Sequence, residues 1–247
     1  MKKILRFQLK DLLYSYLVYG LVMLLLAGIP VLICYANDNT DITINGNGFS
    51  GAVFCLVIGI AIYKEHLQMA VQNSISRKCF FQSILCVMVI SGCVCSLIDS
   101  VSLLITQSIG RSSWGNSSFY TNSIWRVGYS EFFERAGGIA SVIISYLLSV
   151  LVGMVLFAVG VLVAGGYCRV AKRYRTVYCV VLPIFFFGVL PVAGAYFHRQ
   201  VSKAAVFFMD IMGFSSDNPY LGILTLSAVC LVLTGICYRL LRKTEIV

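Results

Sequence analysis

Charge is what this sequence has least of. Of 247 residues only 12% are charged, while 59% are hydrophobic. The mean hydropathy is +0.89. A soluble globular domain carries about 25% charged residues. A chain with half that share cannot coat a water-facing surface. An ordinary cytosolic enzyme, a disordered chain and a secreted disulfide scaffold are thereby excluded. Histidine is scarcer still, with only His66 and His198. There is no His-Glu-x-x-His, no pair of acids at helical spacing inside an apolar run, and no Gly-x4-Gly-Lys-Ser/Thr phosphate loop. We therefore expect no catalytic residues, no metal site and no cofactor bound by this chain. Cysteine is missing from the loops on one side of the expected membrane. Eight of the ten cysteines fall in apolar runs or at their edges, and Cys79 and Cys168 flank the other side. They read as small hydrophobes rather than a disulfide framework.

Long apolar runs are abundant. A helix needs about 20 mostly apolar residues to cross the hydrocarbon core. Six stretches qualify, at 14–35, 48–63, 79–109, 139–167, 177–197 and 220–238. The second is short and can extend back through Ile42 and Ile44. The expected fold is an all-α integral membrane protein built as a single transmembrane domain over 1–247. Fourteen of the 19 Lys and Arg residues fall on one side of these spans, and the other five, Arg111, Arg126, Arg135, Arg199 and Lys203, on the opposite side. The positive-inside rule puts both termini in the cytoplasm. The net charge of +9 is thus a topology signal, and no nucleic-acid partner is expected.

Residues 1–13 read as an N-terminal amphipathic helix lying on the membrane, with Lys3, Arg6 and Lys10 on one narrow face toward lipid phosphates. Residues 64–76 form an inner loop rich in helix formers up to Gln72. The sequence predicts a short helix there that displays Lys64, Glu65, His66, Gln68, Met69 and Gln72. A plain connection needs only about 4–6 residues, so a structured loop suggests a soluble partner. Asp99 lies about 30 Å along the third span, at ~1.5 Å per residue from its start. Ser96, Ser100 and Ser102 offer it local hydrogen bonds, and a structural role is preferred over a proton or substrate site. Trp125, Tyr129, Phe132, Phe133 and Ala136 share one face of a possible aromatic-belt helix on the outer leaflet. Ser141, Ser145, Ser149 and Gly153 recur four apart in the fourth span. Small residues so spaced allow close helix packing within the chain or between subunits. Pro183 and Pro191 predict a bend in the fifth span. Residues 198–217 read as a re-entrant or interfacial segment.

Taken together, this architecture resembles the membrane subunit of the second class of ATP-binding-cassette exporters, the ABC-2 type permeases. Gln72-Asn-Ser-Ile-Ser-Arg-Lys-Cys-Phe-Phe81 is similar to the family's approach to its third span, with Asn73 or Ser74 near the usual glycine. Tyr238-Arg-Leu-Leu-Arg-Lys-Thr-Glu-Ile-Val247 is similar to its basic tail. The resemblance implies a six-span permease in a bacterial plasma membrane. It implies a second permease chain, homo- or heterodimeric, and a separate ATPase subunit that holds ATP and magnesium. Residues 64–76 would be the coupling loop, with its short helix, Lys64 to Gln72, seated on that ATPase. The implied activity is export, of a peptide or antimicrobial peptide among other cargoes. An accessory or immunity membrane protein that binds a toxin or a sensor is the alternative.

Overall fold

The computed structural model describes residues 2–36, 42–47, 49–73, 76–110, 119–136, 138–170, 174, 177, 181 and 196–242. The chain is a multi-pass membrane protein, helical in its described residues apart from one short pair of strands. Four of its helices are long and apolar enough to cross a bilayer, over Ile4–Ile29, Arg77–Thr106, Ile139–Arg169 and Pro219–Leu241. A shorter apolar stretch, Phe49–Tyr63, belongs to a fifth helix. The expected fifth span, 177–197, lies for the most part outside the described residues.

Helix α1 runs without a break over Lys2–Ala36. Its 35 residues span about 52 Å at ~1.5 Å each, well beyond a hydrocarbon core of about 30 Å. Residues 2–13, the described part of the expected 1–13 helix, are therefore not a separate surface-lying helix. No Gly or Pro lies between Lys2 and Tyr19, so nothing stops the helix at the expected junction. Helix α2 covers Phe49–Gln72 and α3 covers Arg77–Gly110. The turn between them is closed by side chains. Asn73 donates its backbone and side-chain N–H groups to the Met69 carbonyl at 3.0 and 2.9 Å. Ser76 receives the Cys79 N–H on its hydroxyl at 3.4 Å and so caps α3. After α3 come two short helices, α4 (Ile124–Gly128) and α5 (Ser130–Arg135). The long α6 (Gly138–Arg169), α7 (His198–Met212) and α8 (Pro219–Arg242) are the other helices among the described residues.

Helix α6 is the hub, packed by α2, α3 and α8. Gly59 of α2 faces the Phe157 carbonyl of α6, and Gly160 of α6 faces the Leu56 carbonyl of α2. Gly92 of α3 lies against Val150 and Met154 of α6. Bare Cα atoms let these backbones approach closely, which is how helices bind one another when lipid supplies no hydrophobic drive. Helix α8 is tied to α6 by Arg169, which donates to the Leu240 carbonyl at 3.0 Å. Helix α1 rides on α3, where the Tyr16 and Ser91 hydroxyls are 2.6 Å apart. The starts of α1 and α3 and the ends of α2, α6 and α8 thus gather at one end, which carries the Lys and Arg excess.

The opposite end holds the one element type the sequence did not suggest. Strands β1 (Ile42–Asn47) and β2 (Phe119–Ser123) form a two-stranded parallel ladder. Ile42 pairs with Phe119 and Asn45 with Asn122, with an irregularity before Asn47. Ile42 and Ile44 are strand residues, not a backward extension of the second span. The alternation Ile-Thr-Ile-Asn has the period of two that a strand requires. Behind the ladder, Trp125, Tyr129 and Phe133 are buried together with Leu148, Met212 and Leu226. These aromatics pack into protein and do not form a belt in lipid. The helix breaks at Tyr129 to place them.

Candidate functional site

At the basic end α2 does not stop where its apolar stretch stops. It continues nine residues past Tyr63 to Gln72, about 13 Å at ~1.5 Å per residue. Residues 64–72 are thus the end of a long helix rather than a short separate one. One face of this extension is covered. Leu67 and Ala70 are buried, and His66 is only 5% exposed. His66 Nε2 lies 3.3 Å from the Asp11 carboxylate of α1. Its ring packs at 5.6 Å against Phe7, one turn earlier on α1. His66 is therefore an internal brace, and the expectation that it is displayed to a partner is corrected. The reason is that the first third of α1 continues into the bundle, so Phe7, Gln8 and Asp11 occupy the space the sequence left open.

The other face of the extension is open. Met69 is 39% exposed. Gln72, Asn73, Ser76, Arg77 and Lys78 are exposed around it. A thioether at a polar tip is an adaptable apolar contact point. Arg77 and Lys78 stand on the first turn of α3, where the helix dipole disfavours positive charge. Their placement serves the surface rather than the helix. The side chains of Lys64, Glu65 and Gln68, which the sequence assigned to the same face, lie outside the described residues. So does that of Lys3, while Arg6 and Lys10 are exposed on α1.

The small-residue stripe of α6 faces the inside of this chain. Ser149 accepts a hydrogen bond from the Trp125 indole at 2.8 Å. A Cβ on Gly153 would stand 3.4 Å from the Cys55 sulfur and 3.5 Å from the Gly92 Cα. The Ser145 hydroxyl lies 3.5 Å from that of Ser123. Ser141 is half-buried one turn before it. Gly153, Ser149 and Ser145 thus meet α2 and α3, α4 and the α4 cap respectively, all within the protomer.

Residues 198–217 form α7 and the turn that follows. Gly213 adopts a left-handed φ of 78° and closes α7. Val201, Val206, Phe207, Phe208 and Ile211 are exposed along the helix. The turn is pinned from the other side, where the Tyr129 hydroxyl donates to the Met212 carbonyl at 2.7 Å. Burial, followed by the nearby Asp217 carboxylate, pushes this phenol up to about 12.

Asp99 finds its partners on other helices, not on the serines of its own. Ser100 spends its hydroxyl on the Ser96 carbonyl. The carboxylate, 4% exposed, accepts from the Tyr19 hydroxyl of α1 at 2.5 Å. It also accepts from Ser50 at 3.4 Å and from the Gly51 N–H at 3.0 Å, both on the first turn of α2. The sequence offered one signal for this meeting, the two tyrosines Tyr16 and Tyr19 on the buried face of α1. Comparisons with protein-family models, with curated proteins and with solved structures return no match to this chain.

Proposed function

We propose that this chain is the membrane-spanning permease subunit of an ATP-driven exporter of the ABC-2 type. The supporting observation is the α2–α3 hairpin at the basic end. A connection between two spans needs only a turn, yet α2 runs on past its apolar stretch and is braced by α1. It ends in an exposed tip of Met69, Gln72, Asn73, Ser76, Arg77 and Lys78. A rigid, braced tip transmits a push; a loose loop does not. In this reading the tip seats on a separate ATPase subunit, which holds ATP and magnesium. Closure of that subunit moves α2 and α3 as a unit and, through Gly59, Gly92, Gly153 and Gly160, drives α6.

Six spans with both termini in the cytoplasm of a bacterium complete the proposal, and two permease chains enclose the path of the exported molecule. The proposal assigns this chain no catalytic group. The test is ATP hydrolysis in lipid nanodiscs. The purified chain alone should show none. Turnover should appear when an ATP-binding-cassette ATPase from the same host is added, and should depend on that subunit's own nucleotide site. Hydrolysis by the chain alone overturns the assignment.

A further inference from the structure

The oxygens around Asp99 suggest a second activity, independent of the ATPase reading. Asp99 Oδ1, the Tyr19 hydroxyl and the Ser50 hydroxyl form a triangle with edges of 2.5, 3.2 and 3.4 Å. The other carboxylate oxygen is held by the Gly51 N–H at 3.0 Å. Each member of the triangle either gives or takes a hydrogen. A proton added to Oδ1 is therefore received without moving any helix, since Tyr19 or Ser50 turns its hydroxyl from donor to acceptor. A metal ion fits poorly. The three oxygens already hydrogen-bond one another, and each would have to give up a partner to ligate a cation. The Gly51 N–H and the positive end of α2 point at the carboxylate, which favours an anion there.

The site is deep but not sealed. Asp99 is 4% exposed, whereas Ser50 is exposed at the start of α2. Ser50 touches both Tyr19 and Asp99, so a proton from the water at that end reaches Oδ1 through one hydroxyl. The groups facing the carboxylate are Tyr19 from α1, Ser50 and the Gly51 N–H from α2, with Cys55 of α2 and Cys95 of α3 beneath. Among the described residues no cationic side chain pairs with it. A buried carboxylate with no cation beside it is expensive to keep charged. The positions around it are also tight. A Cβ on Gly51 would sit 2.5 Å from Asp99 Oδ2, so the first turn of α2 is fitted to this carboxyl.

We propose that Asp99, with Tyr19 and Ser50, is a proton-binding site that loads from the end of the protein opposite the basic one. Its occupancy sets the grip of α3 on the first turn of α2. Infrared difference spectroscopy tests this on the full chain in nanodiscs, titrated between about pH 9 and about pH 4. A carboxylic C=O band should grow in on acidification and move on carbon-13 labelling of aspartate. The part of the band that belongs to Asp99 should be missing from Asp99→Asn and should shift in Tyr19→Phe, which removes the shortest edge. Ser50→Ala should keep the band and slow its appearance after a pH jump. The wild-type titration stands even if Asp99→Asn fails to fold, because the Tyr19→Phe shift identifies the carboxyl. The proposal is overturned if the aspartate band that grows in is the same in the wild type, in Asp99→Asn and in Tyr19→Phe.

Discussion

Gly59 of α2 and Gly160 of α6 meet at a helix crossing, each with its Cα against the other helix's backbone. A side chain on either pushes on a carbonyl, which cannot rotate away. Overpacking of this kind costs about 1–3 kcal/mol. Gly160→Leu and Gly59→Leu should each lower the thermal midpoint of the detergent-purified protein by several degrees. A Cβ added at Gly235 would meet nothing within 4 Å, so Gly235→Ala should leave the midpoint unchanged or raise it. Equal effects at the three positions would contradict the crossing.

The Tyr129 hydroxyl gives a pH dependence with a definite sign. Its pKa rises from 10.0 in the free side chain to about 12 in the fold. The folded state thus favours the neutral phenol, which also donates to Met212. The stabilisation is complete below about pH 10 and is lost as pH rises through about 12. Thermal midpoints measured from neutral to strongly alkaline pH should fall in that window. In Tyr129→Phe the part of the fall due to this phenol should be gone, with a lower midpoint at neutral pH.

His66 is assigned to bracing rather than docking. His66→Ala removes the ring contact with Phe7 and the approach to Asp11. Stability should drop by about 1–2 kcal/mol, in the range of a buried polar contact with its packing. Limited proteolysis should show cleavage near the start of α1 that the wild type resists. Unchanged protection at that site would mean that α1 does not depend on His66.

Orientation is open to direct labelling. The charge split puts the segment around Ser117 on the outside and Lys243 inside. Cysteine substitutions at the two positions, treated with an impermeant thiol reagent in intact cells, should label at Ser117 only. Labelling at Lys243 without Ser117 would invert the molecule.

The long apolar helices were legible in the sequence because composition alone sets them. The Gly153 and Ser149 spacing also pointed to packing, although it could not say against what. Other features depend on distant residues. Nothing near Asp99 announces Tyr19 and Ser50, which lie 80 and 49 residues away. Residues 64–72 look solvent-exposed until α1 is seen to continue past them. The parallel ladder joins two loops that are separated by α2 and α3. The period-two pattern of Ile42 and Ile44 was present, but an adjacent span offered a competing explanation. Trp125, Tyr129 and Phe133 keep helical spacing across a break, so a single amphipathic helix was the simpler reading of the same residues.

The central claim rests on the exposed tip of the α2–α3 hairpin, and co-purification tests it most directly. The tagged full chain is drawn from its own host's membranes, beside a variant with Glu65→Arg and Met69→Asp together. One lost buried contact at a docking surface costs about 1–3 kcal/mol, a tenfold or larger loss of binding. The wild type should bring down an ATPase of the ATP-binding-cassette type. The double variant should be inserted at the same level and bring down at least tenfold less. A wild type that carries no such ATPase, or a double variant that retains it in full, would contradict the account.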